Sequence, residues 1–158
     1  MDPVDHETRV TDDDHLALRL WLRLLSCTNL IEAPLRARVR EQHASTLPRF
    51  DLMAQLDRHP QGLKMRELSQ RLMVTGGSVT GLTDKLVAEG LVERRDDARD
   101  RRACTVHLTA EGRRQFAAMA REHEQWVIGL LGGLPHERQQ QLFELLGELK
   151  RSLPQPPR

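Results

Sequence analysis

Asp100-Arg101-Arg102-Ala103-Cys104-Thr105-Val106-His107-Leu108-Thr109 joins a cluster of arginines at a turn to an alternating extended run. Alternation with period two puts Cys104, Val106 and Leu108 on one face of a strand. Upstream, Gly90-Leu91-Val92-Glu93-Arg94-Arg95 ends a helix and begins a shorter extended run. Residues 91–94 and 103–108 therefore predict a hairpin with Arg94, Arg99, Arg101 and Arg102 along and at its tip. Arginines held there behind a compact helical pair suit the phosphates and the minor groove of DNA.

Working outward, the segment in front of the hairpin supplies that helical pair. Met65, Leu68 and Leu72 mark a short helix, Met73-Val74-Thr75 a turn, and Thr75 a cap for a further helix with Val79, Leu82 and Leu86 inward, stopped by Gly90. This is the spacing of a helix-turn-helix. The outward positions Gly76, Gly77, Ser78, Thr80, Gly81, Asp84 and Lys85 are mostly small. Small side chains let a helix backbone sit deep in a major groove, although each glycine weakens the helix by about 1 kcal/mol. Ahead of the pair, Pro48 fits the first position of a helix with Phe50, Met53 and Leu56 inward, ended by His59-Pro60-Gln61-Gly62.

The flanks are helical. Residues 1–10 predict a disordered tail, and Thr11 can cap a helix whose first turn holds Asp12, Asp13 and Asp14. Leu16, Leu20, Leu24, Cys27 and Ile31 form one stripe of that helix, widened by Leu18, Trp21, Leu22 and Leu25. A helix apolar on so many sides must be buried on as many, and one short chain covers only one side, so a second copy is expected on the other. Pro34 predicts a kink or break near residues 30–32. After the hairpin, Thr109 caps a helix carrying Phe116, Met119, His123, Trp126, Val127 and Leu130, Gly132-Gly133 breaks it, and Pro135 opens a last helix with Leu142, Leu145, Leu146 and Leu149 on one face. The fold expected is mainly α: a winged helix-turn-helix lobe over 47–109, a helical dimerisation region over 11–46 and 110–150, and a tail over 151–158.

Composition agrees and narrows the function. With 3% aromatic residues and no tyrosine in 158 residues, helix formers dominate. The net charge of +1 would not by itself suggest nucleic acid, but residues 1–14 carry six acids and one arginine, whereas residues 94–102 carry five arginines and three aspartates. The positive field is local. No apolar run approaches 18 residues and no charged-then-apolar leader is seen, so neither a membrane span nor a signal peptide is expected, and the cytoplasm is the expected location. Cys27 and Cys104 lack metal-site spacing, and His15, His43, His59, His107, His123 and His136 are scattered, so no metal or cofactor is expected. No paired carboxylates, nucleophile elbow or phosphate-cradling loop suggests an enzyme.

The order of these elements, with Asp100-x-Arg102-x5-Leu108-Thr109, resembles the MarR family of bacterial transcription regulators over residues 15–150. The segments Leu47-Pro48-Arg49-Phe50-Asp51-Leu52-Met53 and Arg71-Leu72-Met73-Val74-Thr75-Gly76-Gly77-Ser78-Val79-Thr80-Gly81-Leu82 resemble members that govern aromatic-acid breakdown, some of which sense hydroxycinnamoyl-CoA thioesters. The resemblance implies an obligate homodimer joined through its first, fifth and sixth helices. It implies a pseudo-palindromic operator in double-stranded DNA, repressed until a small ligand releases it. It also implies that Arg102 enters the minor groove and that Asp100 orients the wing. Lys64 departs from the pattern, standing where relatives often have a capping Thr or Ser.

Plainer readings stand beside these. The wing arginines, interleaved with Asp96, Asp97 and Asp100, also fit a solvated loop. Ser78 and Thr80 fit base-edge or phosphate contacts or plain helix surface, and Lys85 fits a phosphate contact. A redox sensor at Cys27 and a constitutive DNA-binding dimer are the competing functions. For an effector, Arg36, Arg38, Arg40 and Arg49 fall where the first helix ends and the second begins, positions that suit a carboxylate or phosphate. An apolar pocket floored by Trp21, Leu24, Phe50, Met53, Phe116 and Trp126, with His123 on the same helix, would take an aromatic ring or aromatic acyl-CoA.

Overall fold

The computed structural model describes residues 15–72, 76–96, 99–100 and 103–155. In chain order these form α1 (Leu16–His43), α2 (Leu47–Arg58), β1 (Leu63–Lys64), α3 (Met65–Leu72), α4 (Gly76–Ala88), β2 (Val92–Asp96), β3 (Cys104–Leu108), α5 (Ala110–Leu131) and α6 (His136–Ser152). The result is a winged helix-turn-helix inside a mainly helical chain. Thr11, the acids at 12–14 and the Met73-Val74-Thr75 turn lie outside the described residues.

Of the kink or break expected near residues 30–32, α1 excludes the break. It runs unbroken through Pro34 for 28 residues. Pro34 removes one backbone donor, a loss of about 3 kcal/mol in a helix interior, but the turn that follows buries Leu35 and Val39 against Trp126 of α5, with Ile31, Leu47 and Val127 packed around them. That burial holds the chain helical on both sides of the proline. α1 ends at Ala44, which takes the left-handed conformation at φ 48. The Ala44 N–H donates to Arg40 O at 3.1 Å, the 5→1 bond of an αL cap, and the Ser45 N–H reaches back to Val39 O at 3.3 Å. Thr46 then caps α2, its hydroxyl accepting from Arg49 N at 3.4 Å, with Leu47-Pro48 as the first helical residues.

The main core gathers Phe50, Leu52, Met53 and Leu56 of α2, Leu68 of α3, Val79 and Leu86 of α4, Val92, Val106 and Leu108 of the hairpin, and Phe116 and Met119 of α5. Thr83, also fully buried, satisfies its hydroxyl on Val79 O at 2.8 Å. The hairpin pairs Val92 with Leu108 and Asp96 with Cys104, so β2 runs two residues further than alternation suggested. A third strand, β1, pairs antiparallel on the other side of β3, matching Leu63 to Val106. Two residues are too few to show a period, which is why the sequence reading missed it. The order β1-β3-β2 makes β3 central, and His107 is consequently buried too, not exposed opposite Val106 as simple alternation implied. Its ring lies on Gly62, where a Cβ would come within 2.4 Å of His107 Nε2 and where φ is +86. Lys64, the departure noted above, has its backbone N–H capped by Glu67 Oε2 at 2.8 Å.

Outside the core the picture reverses. Leu16, Leu18, Leu20, Trp21, Leu25 and Leu30 of α1, Ile128, Leu130 and Leu131 of α5, and Leu142, Phe143, Leu145 and Leu146 of α6 are all exposed, and α6 buries no residue. Cys27 is exposed on the same α1, and Cys104 is half-buried. No described helix is long and apolar enough to cross a membrane.

Candidate nucleic-acid interface and effector cleft

α4 presents Ser78, Thr80, Gly81, Asp84 and Lys85 on its exposed face because Val79, Thr83 and Leu86 are fixed in the core. Gly76 and Gly77 open the helix. The hairpin stands beside it: Arg94 of β2 donates to Asp84 Oδ1 at 2.5 Å, tying the wing's root to the helix. Both side chains are well exposed, so the pair is worth at most about 1 kcal/mol and is easily exchanged for a phosphate. Arg95 Nε donates to Glu93 Oε1 at 2.8 Å. Arg99 and Asp100 are exposed, and the Asp100 carbonyl accepts from Ala103 N at 2.9 Å. Of the expected DNA contacts, Thr75, Arg101 and Arg102 lie outside the described residues. The sequence reading missed the Asp84–Arg94 tie, because opposite charges ten positions apart on different elements leave no periodic trace.

The expected effector residues separate into five places. Phe50, Met53 and Phe116 sit inside the main core, and Phe50 stacks on His123 with ring centroids 4.5 Å apart. Trp126 belongs to the separate small cluster with Leu35 and Val39, with the Arg38 guanidinium 5.7 Å above its ring. Trp21 is 56% exposed. The single aromatic-floored pocket drawn from the sequence is therefore not assembled within this chain: helical spacing identified buried faces but not which neighbour each face meets. Arg49 is also taken, since it donates to Glu89 Oε1 at 2.9 Å with a second contact to Oε2. That guanidinium holds the Glu89 carboxyl below its ordinary range, with Lys85 pulling the same way.

Arg36 and Arg40 remain, and the structure brings them together with Lys85. They line a cleft of about 710 Å³ between the end of α1, the start of α2 and α4, completed by Ser45, Thr46, Leu47, Pro48, Ser78, Gly81 and Leu82. Arg36 and Arg40 share a face at i and i+4. Arg36 makes a long 3.5 Å contact to Glu32. No carboxylate is among the described lining residues, and the positive end of the α2 dipole opens into the same space. The arrangement favours an anion with an apolar body.

At the seam between α2 and α5, burial raises the Asp51 carboxyl, opposed by His123 and reinforced by Glu32, and burial lowers the His123 imidazole, opposed by Asp51. His43 Nε2 lies 3.1 Å from Glu122 Oε2. Among the described residues no group of three or more His, Cys, Asp or Glu is placed to hold a metal ion.

Comparison with known proteins follows the same lines. Residues 46–103 match the model of the MarR family. The chain is 30% identical over 98 residues to the HTH-type transcriptional repressor YetL of Bacillus subtilis, covering 62% of this chain and 59% of that protein. It is 31% identical over 107 residues to the transcriptional activatory protein BadR of Rhodopseudomonas palustris, covering 66% and 61%. The chain thus spans about three fifths of the length of these curated relatives. In three dimensions it is similar to a MarR family transcriptional regulator from Silicibacter pomeroyi, at 29% identity and a TM-score of 0.76, over 90% of this chain and 99% of that one. These relatives and this fold are those of transcription regulators, which are not enzymes.

Proposed function

We infer that a chain whose residues 46–103 match the MarR family, and which takes the fold of a solved regulator of that family along nearly its whole length, is itself a ligand-responsive transcriptional repressor. It binds a pseudo-palindromic operator as a homodimer, in the cytoplasm where the DNA is. An aromatic acid derivative, principally its CoA thioester such as p-coumaroyl-CoA or feruloyl-CoA, releases it.

The observation that carries the effector half is the cleft, where Arg36, Arg40 and Lys85 face one space with apolar Leu47, Pro48 and Leu82 beside them. Guanidinium groups suit the phosphates of CoA, and the apolar side chains suit a ring. The DNA half rests on α4 and the adjoining hairpin, where Ser78, Thr80, Gly81 and Lys85 are solvent-facing and Arg94 is held by an exposed ion pair. Repression is favoured because an effector in this cleft touches α4 directly and so acts against the DNA-bound arrangement. A ligand acts only through different affinities for the competent and incompetent states, with a coupling of about 1–3 kcal/mol, or roughly 5- to 150-fold.

Calorimetry with p-coumaroyl-CoA, p-coumaric acid and CoA tests the effector. The thioester should bind, and Arg36→Ala with Arg40→Ala should abolish its heat while leaving operator affinity nearly intact. No heat from any of the three, in protein that binds DNA, would rule out this ligand class. Binding by the free acid alone would remove the CoA part.

A further inference from the structure

One wall of the cleft is the DNA-reading helix itself. Ser78, Gly81 and Lys85 fall at i, i+3 and i+7, one stripe of α4, and all three line the cleft although the same helix face is the one exposed for DNA. We propose that Lys85 is shared: its ammonium binds either a DNA phosphate or the effector's anionic group, so the effector releases DNA by taking this residue away as well as by shifting shape. This rests on the reading of the cleft as the effector site.

Three features carry the proposal. Arg36 and Arg40 face Lys85 across the cleft with no acid among the described lining residues. An anion seated between them therefore attracts the ammonium inward while it neutralises the two arginines. Lysine is a point charge on a four-carbon stem with freely rotating donors, so Lys85 can serve either the cleft or the helix's outer face without moving α4. Finally, the wall leaves room for a ligand next to Lys85: a Cβ built on Gly81 meets nothing within 4 Å.

The decisive comparison uses the full-length protein, p-coumaroyl-CoA as probe and a selected operator duplex. Effector affinity is measured with and without the duplex for wild type, for Lys85→Met and for Arg36→Ala with Arg40→Ala. Met keeps the stem and the helix propensity, and an unchanged thermal midpoint confirms the fold. Lys85→Met is expected to weaken the thioester about tenfold and to shrink the factor by which operator weakens the thioester, a factor of roughly 5 to 150 in typical coupled sites. The double arginine variant is expected to lose the thioester. If Lys85→Met binds the thioester as wild type does and keeps the full coupling, while the arginine variant fails to bind, Lys85 is not shared and release works through shape alone. If the arginine variant also binds normally, or wild type does not bind the thioester, the cleft is not the effector site and the assignment of Lys85 falls with it.

Discussion

Gly112→Ala should unfold or severely destabilise the protein, although alanine normally strengthens a helix. A Cβ at Gly112 would lie 1.9 Å from Leu91 O and 3.2 Å from Leu108 Cδ2. The flexible end of a side chain could yield at such a distance, but the Leu91 carbonyl cannot. It accepts from Thr109 N at 3.1 Å, while Leu91 N donates to Leu86 O at 3.0 Å. Thr109 in turn binds both sides of the contact, donating its hydroxyl to Gly90 O at 2.7 Å and accepting from Gly112 N at 3.0 Å. The first turn of α5 is thus bolted to the junction of α4 and β2. Overpacking typically costs about 1–3 kcal/mol and more where backbone must move, a large share of a stability of about 5–15 kcal/mol. Gly81→Ala is the matched control, since its Cβ meets nothing and it should gain up to about 1 kcal/mol. Urea midpoints decide: Gly112→Ala should fall well below wild type and Gly81→Ala rise above it, and a rise in both would show that α5 does not dock as described.

The second large effect is dissociation. Leu20 and Leu145 are 49% and 62% exposed within one chain, on α1 and α6, whose apolar faces the described residues do not cover. Burying such a side chain contributes about 1.5–3 kcal/mol, and a carboxylate in the same place must be desolvated without a partner. Leu20→Asp with Leu145→Asp should therefore convert a tight dimer into monomer or unfolded chain. Sedimentation velocity at micromolar concentration checks this, and a stable, folded wild-type monomer would refute the dimer.

The residues that the sequence made legible are those whose neighbours are close in the chain. Val79, Leu82 and Leu86 at helical spacing, Thr109 before a helix and the alternation of Cys104, Val106 and Leu108 all led to elements found where expected. Local signals failed where a distant partner decides. Of the kink or break that Pro34 forecast, the break is absent, the burial of Leu35 and Val39 against Trp126 keeping the helix continuous, and β1 exists only because β3 offers Val106 and Thr105 to pair with. The same limit explains the effector residues. Arg36 and Arg40 share a visible i, i+4 face, but nothing in the sequence says that Lys85 stands across from them or that Arg49 is engaged by Glu89. The aromatic residues were recognisable as buried, yet Phe50 and Trp126 went to different clusters.

The central claim, that α4 and the hairpin read a specific operator on behalf of a dimer, is tested most directly by selecting fragments of the source genome on the purified protein at physiological salt and sequencing what is retained. The account predicts enrichment of a few sites sharing an inverted repeat, with half-sites about one helical turn, 10–10.5 bp, apart. Enrichment spread evenly over all sequences and lost as salt rises, or no retention at all, would contradict it.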